Sequence, residues 1–436
     1  MSSQFTLLTK KRFLPLFATQ FLGALNDNIL KNAMVIMIAF QGTRLTSVSP
    51  ALMVNICAGL FILPFFLFSA TSGQIADKHD KSKLIRLVKL LEIGIMMIAA
   101  VGFWLPCLPA LLLALFLMGL HSTLFGPIKY SILPQHLHSN EMIGGNGLIE
   151  SGTFLAILLG TILGGTLIGM GEAGPHWAGG VCFAVALLGY AASRGIPVAP
   201  APEPEMRINW NPFTETWRNL AALRKNRTVY LAILGISWFW FYGAIFLSQF
   251  PAFAKDNLGG NEGVVTTLLA LFSIGIGIGS LLCEKLSGHG VEPGLVPLGS
   301  IGLSVFAIDL WFFSPDAGAL GLSLGDFLAS PGSLHVLADL VLIGVFGGFY
   351  CVPLYTLMQT HSEESHRSRV VAANNILNAA FMVVAALLAI VLLSIGMSVP
   401  QLFLVTAVIN AAIAAYIYTL APEFINHFFS WLTRKK

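Results

Sequence analysis

Residues 197–227 read PVAPAPEPEMRINWNPFTETWRNLAALRKNR, and this stretch decides how the chain on either side is read. Five prolines and a mixture of acidic and basic side chains interrupt a chain that is 56% hydrophobic and only 10% charged over its whole length. A soluble domain carries roughly 25% charged residues, so the flanking regions do not read as water-soluble cores. On each side lie about six apolar runs of roughly 20 residues, each long enough to cross a bilayer as a helix. They fall at about 13–40, 51–75, 84–105, 109–128, 144–169 and 176–196, then at about 228–250, 263–286, 293–313, 334–359, 370–395 and 399–421. The first, tenth and eleventh runs are overlong, which tilting or breaking accommodates. The expected fold is all-α and polytopic, with a six-helix bundle at 1–196, a cytoplasmic linker at 197–227 and a second six-helix bundle at 228–436.

Within the linker, Phe213, Trp217, Leu220 and Ala221 lie near one face of a short helix, with Leu223 at its edge. Arg218 and Lys225 fall on the other side and suit an anionic inner leaflet. Arg224 interrupts the apolar stripe and keeps the helix short. A plain tether between bundles is the simpler reading; we expect a tether carrying a surface helix.

Basic residues orient the spans, because cytoplasmic loops carry an excess of Lys and Arg. With the N-terminus inside, 21 of the 24 Lys and Arg residues fall on the cytoplasmic side, and only Lys31, Arg44 and Lys255 do not. A wrong span count would scatter these charges, so both termini are expected in the cytoplasm. The net charge of +3 is this topological signal, and no nucleic-acid patch accompanies it. Cys57, Cys107, Cys182, Cys283 and Cys351 stand singly and read as packing residues. The basic start and apolar run imitate a signal peptide, but Asn26, Asp27, Asn28, Lys31 and Asn32 break that run, so we expect a retained first helix.

The two halves echo one another. Gly73-Gln-Ile-Ala-Asp77-Lys78-His79-Asp80-Lys81-Ser82-Lys83 follows span two, and Ser280-Leu-Leu-Cys-Glu284-Lys285-Leu-Ser-Gly288 follows span eight. Span four ends in Gly126-Pro127-Ile-Lys129-Tyr130, with Asn146 downstream, and span ten in Val352-Pro353-Leu-Tyr355, with Asn374 downstream. Parallel repeats of this kind are a transporter arrangement. The loop after span two resembles the signature of the major facilitator superfamily, G-x-x-x-D-[RK]-x-G-[RK]-x-[RK]. Gly73, Asp77, Lys78, Lys81 and Lys83 match it, and Asp80 replaces the second glycine. Gly73 would let helices approach closely, and Asp77 suits a neighbouring helix N-terminus, where a carboxylate is favoured. The resemblance implies a latch that breaks as the bundles rock, with Gly73, Asp77, Lys78, Lys81, Lys129, Tyr130, Glu284 and Lys285 as its candidates.

More specifically, the chain resembles the lysophospholipid transporter family, including the transporter portions fused to bacterial acyltransferase–acyl-carrier synthetases. Four stretches carry this: Phe21-Leu-Gly-Ala-Leu-Asn26-Asp27-Asn28, Gly126-Pro-Ile-Lys129-Tyr130-Ser-Ile-Leu, Gly145-Asn146-Gly147-Leu-Ile-Glu150-Ser151, and Gly344-Val-Phe-Gly347-Gly348-Phe-Tyr350-Cys-Val-Pro353-Leu. The resemblance implies a bacterial inner-membrane protein that flips lyso-phosphatidylethanolamine or a similar lipid toward the cytoplasmic leaflet for reacylation. No H-x-x-x-x-D acyltransferase signature occurs, so any acyltransferase is expected as a separate partner. No cofactor is expected, and no nucleophile–base or metal-ligand spacing marks an enzyme.

Polar groups inside a membrane are costly and are function candidates by default. Asp27 and Lys31, spaced i, i+4, share a helix face, and Asn28 and Asn32 follow on the adjacent strip. A zwitterionic head group offers one charge for each member of the pair; a structural ion pair is the plainer alternative. Asn146 and Glu150 open span five, where the helix dipole alone would favour an acid. Trp238, Trp240 and Tyr242 in span seven suit an acyl chain, although interfacial aromatics are ordinary anchors. Lys89 and Glu92, spaced i, i+3, read as a structural pair. Asp309 and Asp339 fall near the outer surface, with no role assigned. The competing function is a proton-coupled exporter of amphipathic drugs or a siderophore, in which Asp27 or Glu150 carries the proton.

Overall fold

The computed structural model describes residues 4–45, 50–288, 290–318 and 320–433, with side chains left aside at 39–45 and 50–51. The basic tail Arg434, Lys435 and Lys436 and the Arg44 side chain therefore lie outside the described residues. Long helices dominate: α1 (Leu14–Leu45), α2 (Pro50–Lys78), α3 (Lys81–Trp104) and α4 (Leu108–Ser131) come first. A short α5 (Leu133–His136) leads to α6 (Met142–Ile168), α7 (Gly174–Ser193), the linker helix α8 (Pro212–Leu223) and α9 (Arg227–Ala252). Then follow α10 (Glu262–Ser287), α11 (Leu295–Phe313), a short α12 (Leu324–Ala329), α13 (Ser333–His361), α14 (Arg367–Ser394), α15 (Val399–Leu420) and α16 (Pro422–Thr433). Among the described residues, ten helices are long and apolar enough to cross a membrane. Helices α1 and α3, of 32 and 24 residues, each carry an intrahelical acid–base pair, Asp27–Lys31 and Lys89–Glu92.

Apolar side chains point outward as well as inward, as a bilayer solvent requires: Leu188, Leu387 and Ile390 are all more than half exposed. Helix ends follow capping chemistry. Ser398 and Gln401 form a reciprocal capping box on α15, and α10 stops at Gly288 in the left-handed region, φ 63°.

By contact, the chain divides into two compact units. One comprises Met1–His138, Ala156–Arg227 and Gln359–Ala379; the other comprises Ser139–Leu155, Thr228–Met358 and Ala380–Lys436. Helices α6 and α14 each contribute residues to both. In the first unit, α1, α3, α4 and α7 pack around Ile29, Met34, Ile95, Met96, Leu111 and Cys182. Helix α6 lies against α1 because Gly160 and Gly164 leave room for Asn28 and Asn32; a Cβ on Gly160 would stand 2.7 Å from Asn28 Cβ. In the second unit, Gly275 and Gly279 of α10 meet the backbone of Val341 and Val345 on α13. Backbones this close exclude any side chain at the crossing.

The linker helix is capped by Asn211, whose side chain accepts from the N–H groups of Phe213 and Thr214. It buries Glu215, Asn219 and Leu223, one per turn, and turns Phe213 and Trp217 outward at 77% and 76% exposure. In water this would be inside out. Against a lipid surface it is the expected arrangement.

Candidate functional site

The polar turn of α1 presents its side chains on two adjacent faces. Lys31 Nζ lies 3.3 Å from Asp27 Oδ2, and the two side chains are 29% and 14% exposed. Lys31 Nζ also stands 4.3 Å over the Phe61 ring. Asp27 Oδ1 is buried and completes no hydrogen bond. Asn28 and Asn32 lie on the adjacent strip, about 100° around the helix from the pair, as the spacing predicts. Asn28 donates to Ala24 O at 2.8 Å. Asn32 donates to Asn28 O at 2.9 Å and Thr161 Oγ1 at 3.2 Å. The structure thus separates an open ion pair from two asparagines engaged with the α1–α6 packing.

Asn26 turns the other way, into a wholly buried group that sequence reasoning only half identified. Lys89 Nζ is 2.6 Å from Glu92 Oε2, both side chains at 0% exposure. Asn26 Nδ2 donates to Glu92 Oε1 at 2.8 Å. His121 Nε2 lies 3.3 Å from Glu92 Oε2, within ion-pair range, though neither ring nitrogen completes a hydrogen bond of good geometry. The ammonium fits because Gly23 has no side chain: a Cβ there would stand 2.5 Å from Lys89 Nζ. A lone histidine in the apolar run of α4 is the one sequence signal for the missing partner.

The C-terminal end of α2 and the turn that follows it behave as a helix cap and a clamp. Asp77 Oδ1 accepts from the Ser368 N–H at 3.1 Å, and Oδ2 from Arg369 Nε at 3.1 Å. Its charge partner is therefore Arg369, not the adjacent Lys78. Arg369 reaches on to Glu203 Oε2 at 2.9 Å, and Ser368 Oγ donates to Ser131 Oγ at 2.9 Å. Gly73 permits this closeness, because a Cβ there would stand 2.9 Å from Arg369 Cα. Lys81 is buried. Asp80 sits at φ −57°, an ordinary backbone angle, so the family's glycine is dispensable at this position. It caps α3, accepting from Ser82 Oγ at 2.6 Å and the Lys83 N–H at 2.9 Å, while Oδ2 accepts from the Ala199 N–H at 3.2 Å. Partial burial pushes the Asp80 carboxyl up, but these hydrogen bonds outweigh it and hold the group below the usual carboxylate range.

The remaining candidates divide by unit. Lys129 and Tyr130 are buried, with Lys129 Nζ 4.8 Å over the Tyr130 ring. In the second unit, Asn146 Nδ2 donates to Met142 O at 3.0 Å and Thr356 Oγ1 at 3.1 Å, and Glu150 is buried nearby on α6. Trp238 Nε1 donates to Asn410 Oδ1 at 2.7 Å, and Tyr242 OH to Leu303 O at 2.8 Å, so both rings point into helix packing. Trp240 is half-buried, stacks on Phe154 with centroids 6.3 Å apart, and donates to Tyr355 OH at 3.2 Å. Glu284 is buried and Lys285 is exposed.

Helices long and apolar enough to cross a membrane many times, with ion pairs held among them, define a polytopic membrane protein. The profile of the Major Facilitator Superfamily matches residues 16–385, and this chain is a member of that superfamily. Within it, the chain is similar to the lysophospholipid transporter LplT of Cronobacter sakazakii, 26% identical over 364 residues, or 82% of each chain. It is equally similar to the lysophospholipid transporter LplT of Klebsiella pneumoniae (strain 342), 26% identical over 82% of each chain. Among solved structures, a single-residue variant of the E. coli fucose:proton symporter FucP matches with TM-score 0.68 at 12% identity, covering 93% of this chain and 97% of that one. The human organic anion transporter MFSD10 matches with TM-score 0.69 at 14% identity, covering 92% and 97%. These two likenesses establish the fold alone.

Proposed function

We propose that this protein is a secondary carrier that moves lysophospholipids, such as lyso-phosphatidylethanolamine, across the bacterial inner membrane by alternating access. Two bundles, 1–196 and 228–436, rock about the linker at 197–227, and both termini lie in the cytoplasm. One observation carries the head-group assignment: Asp27 and Lys31 pair at 3.3 Å while retaining exposure, and one Asp27 oxygen lacks a donor. A zwitterion satisfies both at once, its ammonium against Asp27 and its phosphate against Lys31. The names of the relatives support the lipid class. Trp240, half-buried on Phe154, suits the acyl chain, and Trp238 and Tyr242 hold the helix behind it. Asp77 and Arg369 form the latch, with Gly73, Lys78, Lys81, Lys129 and Tyr130 around it. Glu284 and Lys285 hold the corresponding place in the second half. The protein is a transporter rather than an enzyme, and a separate acyltransferase consumes the lipid it delivers.

The test is transbilayer movement of a labelled lyso-phosphatidylethanolamine in proteoliposomes, with and without a proton gradient. Movement above that of protein-free vesicles and indifferent to the gradient supports the proposal. Movement seen solely with a gradient would transfer the chain to proton-coupled export, and no movement would end the lipid assignment.

A further inference from the structure

A third polar group lies in the second unit, apart from the residues assigned above. Asp309 of α11 faces His335 and Asp339 of α13, the latter two spaced i, i+4 on one helix face. His335 Nε2 is 2.9 Å from Asp309 Oδ2 and 3.6 Å from Asp339 Oδ2. One ligand atom from each residue lies within 4.8 Å of the other two. Asp339 is only 3% exposed, and the Oδ2 that points into the group completes no hydrogen bond. A buried carboxylate oxygen without a donor is costly, and a cation at the centre would remove that cost. Among the described residues, the imidazole is the sole ion-pair partner of the two carboxylates.

We propose that Asp309, His335 and Asp339 bind a divalent transition-metal cation that ties α11 to α13. The spacing fits. Metal–ligand bonds of about 2.0–2.2 Å place neighbouring ligand atoms about 3.0–3.5 Å apart, depending on coordination geometry. The two imidazole–carboxylate separations bracket this range, and the two carboxylates offer ligand atoms within 4.8 Å of each other, close enough for side-chain rotation to bring them onto one ion. The donor set selects the ion class. An imidazole with two carboxylates suits Zn2+ or Mn2+, whereas Ca2+ takes 6–8 oxygens. Three protein ligands leave further positions for water, and the side chains of Asp309 and His335 are 35% and 43% exposed, so the ion has a route in. No spacing motif in the sequence marks this site, since His335 and Asp339 lie 26 and 30 residues beyond Asp309.

The experiment uses the full-length, tag-free protein in detergent, stripped with a chelator and titrated with Zn2+ by calorimetry and with Mn2+ by electron paramagnetic resonance. One saturable equivalent is expected for the wild type, together with a metal-dependent rise in unfolding temperature. Asp339→Asn and His335→Ala should each weaken binding about tenfold or more, because even changes to outer-shell partners cost about 10–100-fold. Their unfolding temperatures should no longer respond to metal. If Asp339→Asn fails to fold, His335→Ala and Asp309→Asn carry the test, since both side chains are substantially exposed. No saturable binding, or equal binding by wild type and folded variants, overturns the site and reduces the group to a hydrogen-bonded surface pair.

Discussion

Asp27–Lys31 on α1 and Lys89–Glu92 on α3 are the same sequence feature twice, an acid and a base one helical turn apart in an apolar run. Their surroundings are opposite. Lys89 and Glu92 are at 0% exposure, and the carboxylate is completed by Asn26 and flanked by His121. Asp27 and Lys31 keep 14% and 29% exposure, and an Asp27 oxygen is left without a donor. The contrast teaches that charge in a membrane helix is no sufficient mark of function. What separates the two pairs is the carboxylate: both Glu92 oxygens have partners supplied by the fold, whereas one Asp27 oxygen has none and leaves room for a partner from outside.

The largest expected effect breaks the closed pair. Glu92→Gln leaves the Lys89 ammonium buried without its counter-charge, and removing one partner of a buried pair costs about 3–5 kcal/mol. Thermal unfolding in detergent should show a large loss of stability, or the variant should fail to accumulate in membranes. Wild-type stability would erase the distinction, because Lys89–Glu92 would then be as dispensable to folding as an open pair.

The second effect falls on transport. Asp27→Asn and Lys31→Ala should each cut lysolipid movement about tenfold or more, roughly 1.4 kcal/mol of binding or barrier, while unfolding temperature stays near wild type. Asp27→Asn keeps the side-chain size and removes the charge proposed to meet the ammonium. Should it destabilise the protein as strongly as Glu92→Gln, the α1 pair is a structural lock and the head-group assignment fails.

The fold is legible because hydropathy runs are long and local: among the described residues, the twelve expected runs fall on twelve long helices, with ends displaced by a few residues. Asp27 and Lys31 are legible for the same reason, being four residues apart on one helix. Partners that meet across the fold are not. Arg369 lies 292 residues from Asp77, and periodicity carries no trace of that contact. His121 reads as a stray polar residue until α3 and α4 pack together, and Asp309 and Asp339 read as ordinary outer-surface acids. The linker helix differs again. Its apolar stripe is visible, but burial of Glu215 and Asn219 beneath it depends on Asn209 and on packing against α2, which no single-helix pattern contains.

The smallest effect extends the comparison to a carboxylate outside the spans. Asp80 is neither sealed like Glu92 nor open like Asp27; it caps α3 with three donors in the turn between α2 and α3. Replacing an N-cap acid with alanine costs about 1 kcal/mol, so Asp80→Ala should lower stability modestly and leave lysolipid movement close to wild type. The pH dependence has a definite sign. The folded carboxyl lies below its ordinary value, so the native state favours the charged form. Its contribution is full above the unfolded value of about 3.9 and disappears as pH falls through the folded one. Stability measured at neutral pH and again near the lower end of that window should therefore converge for wild type and Asp80→Ala. A gap that persists in acid would mean that the cap acts through its neutral hydrogen bonds, and that charge at this turn contributes little.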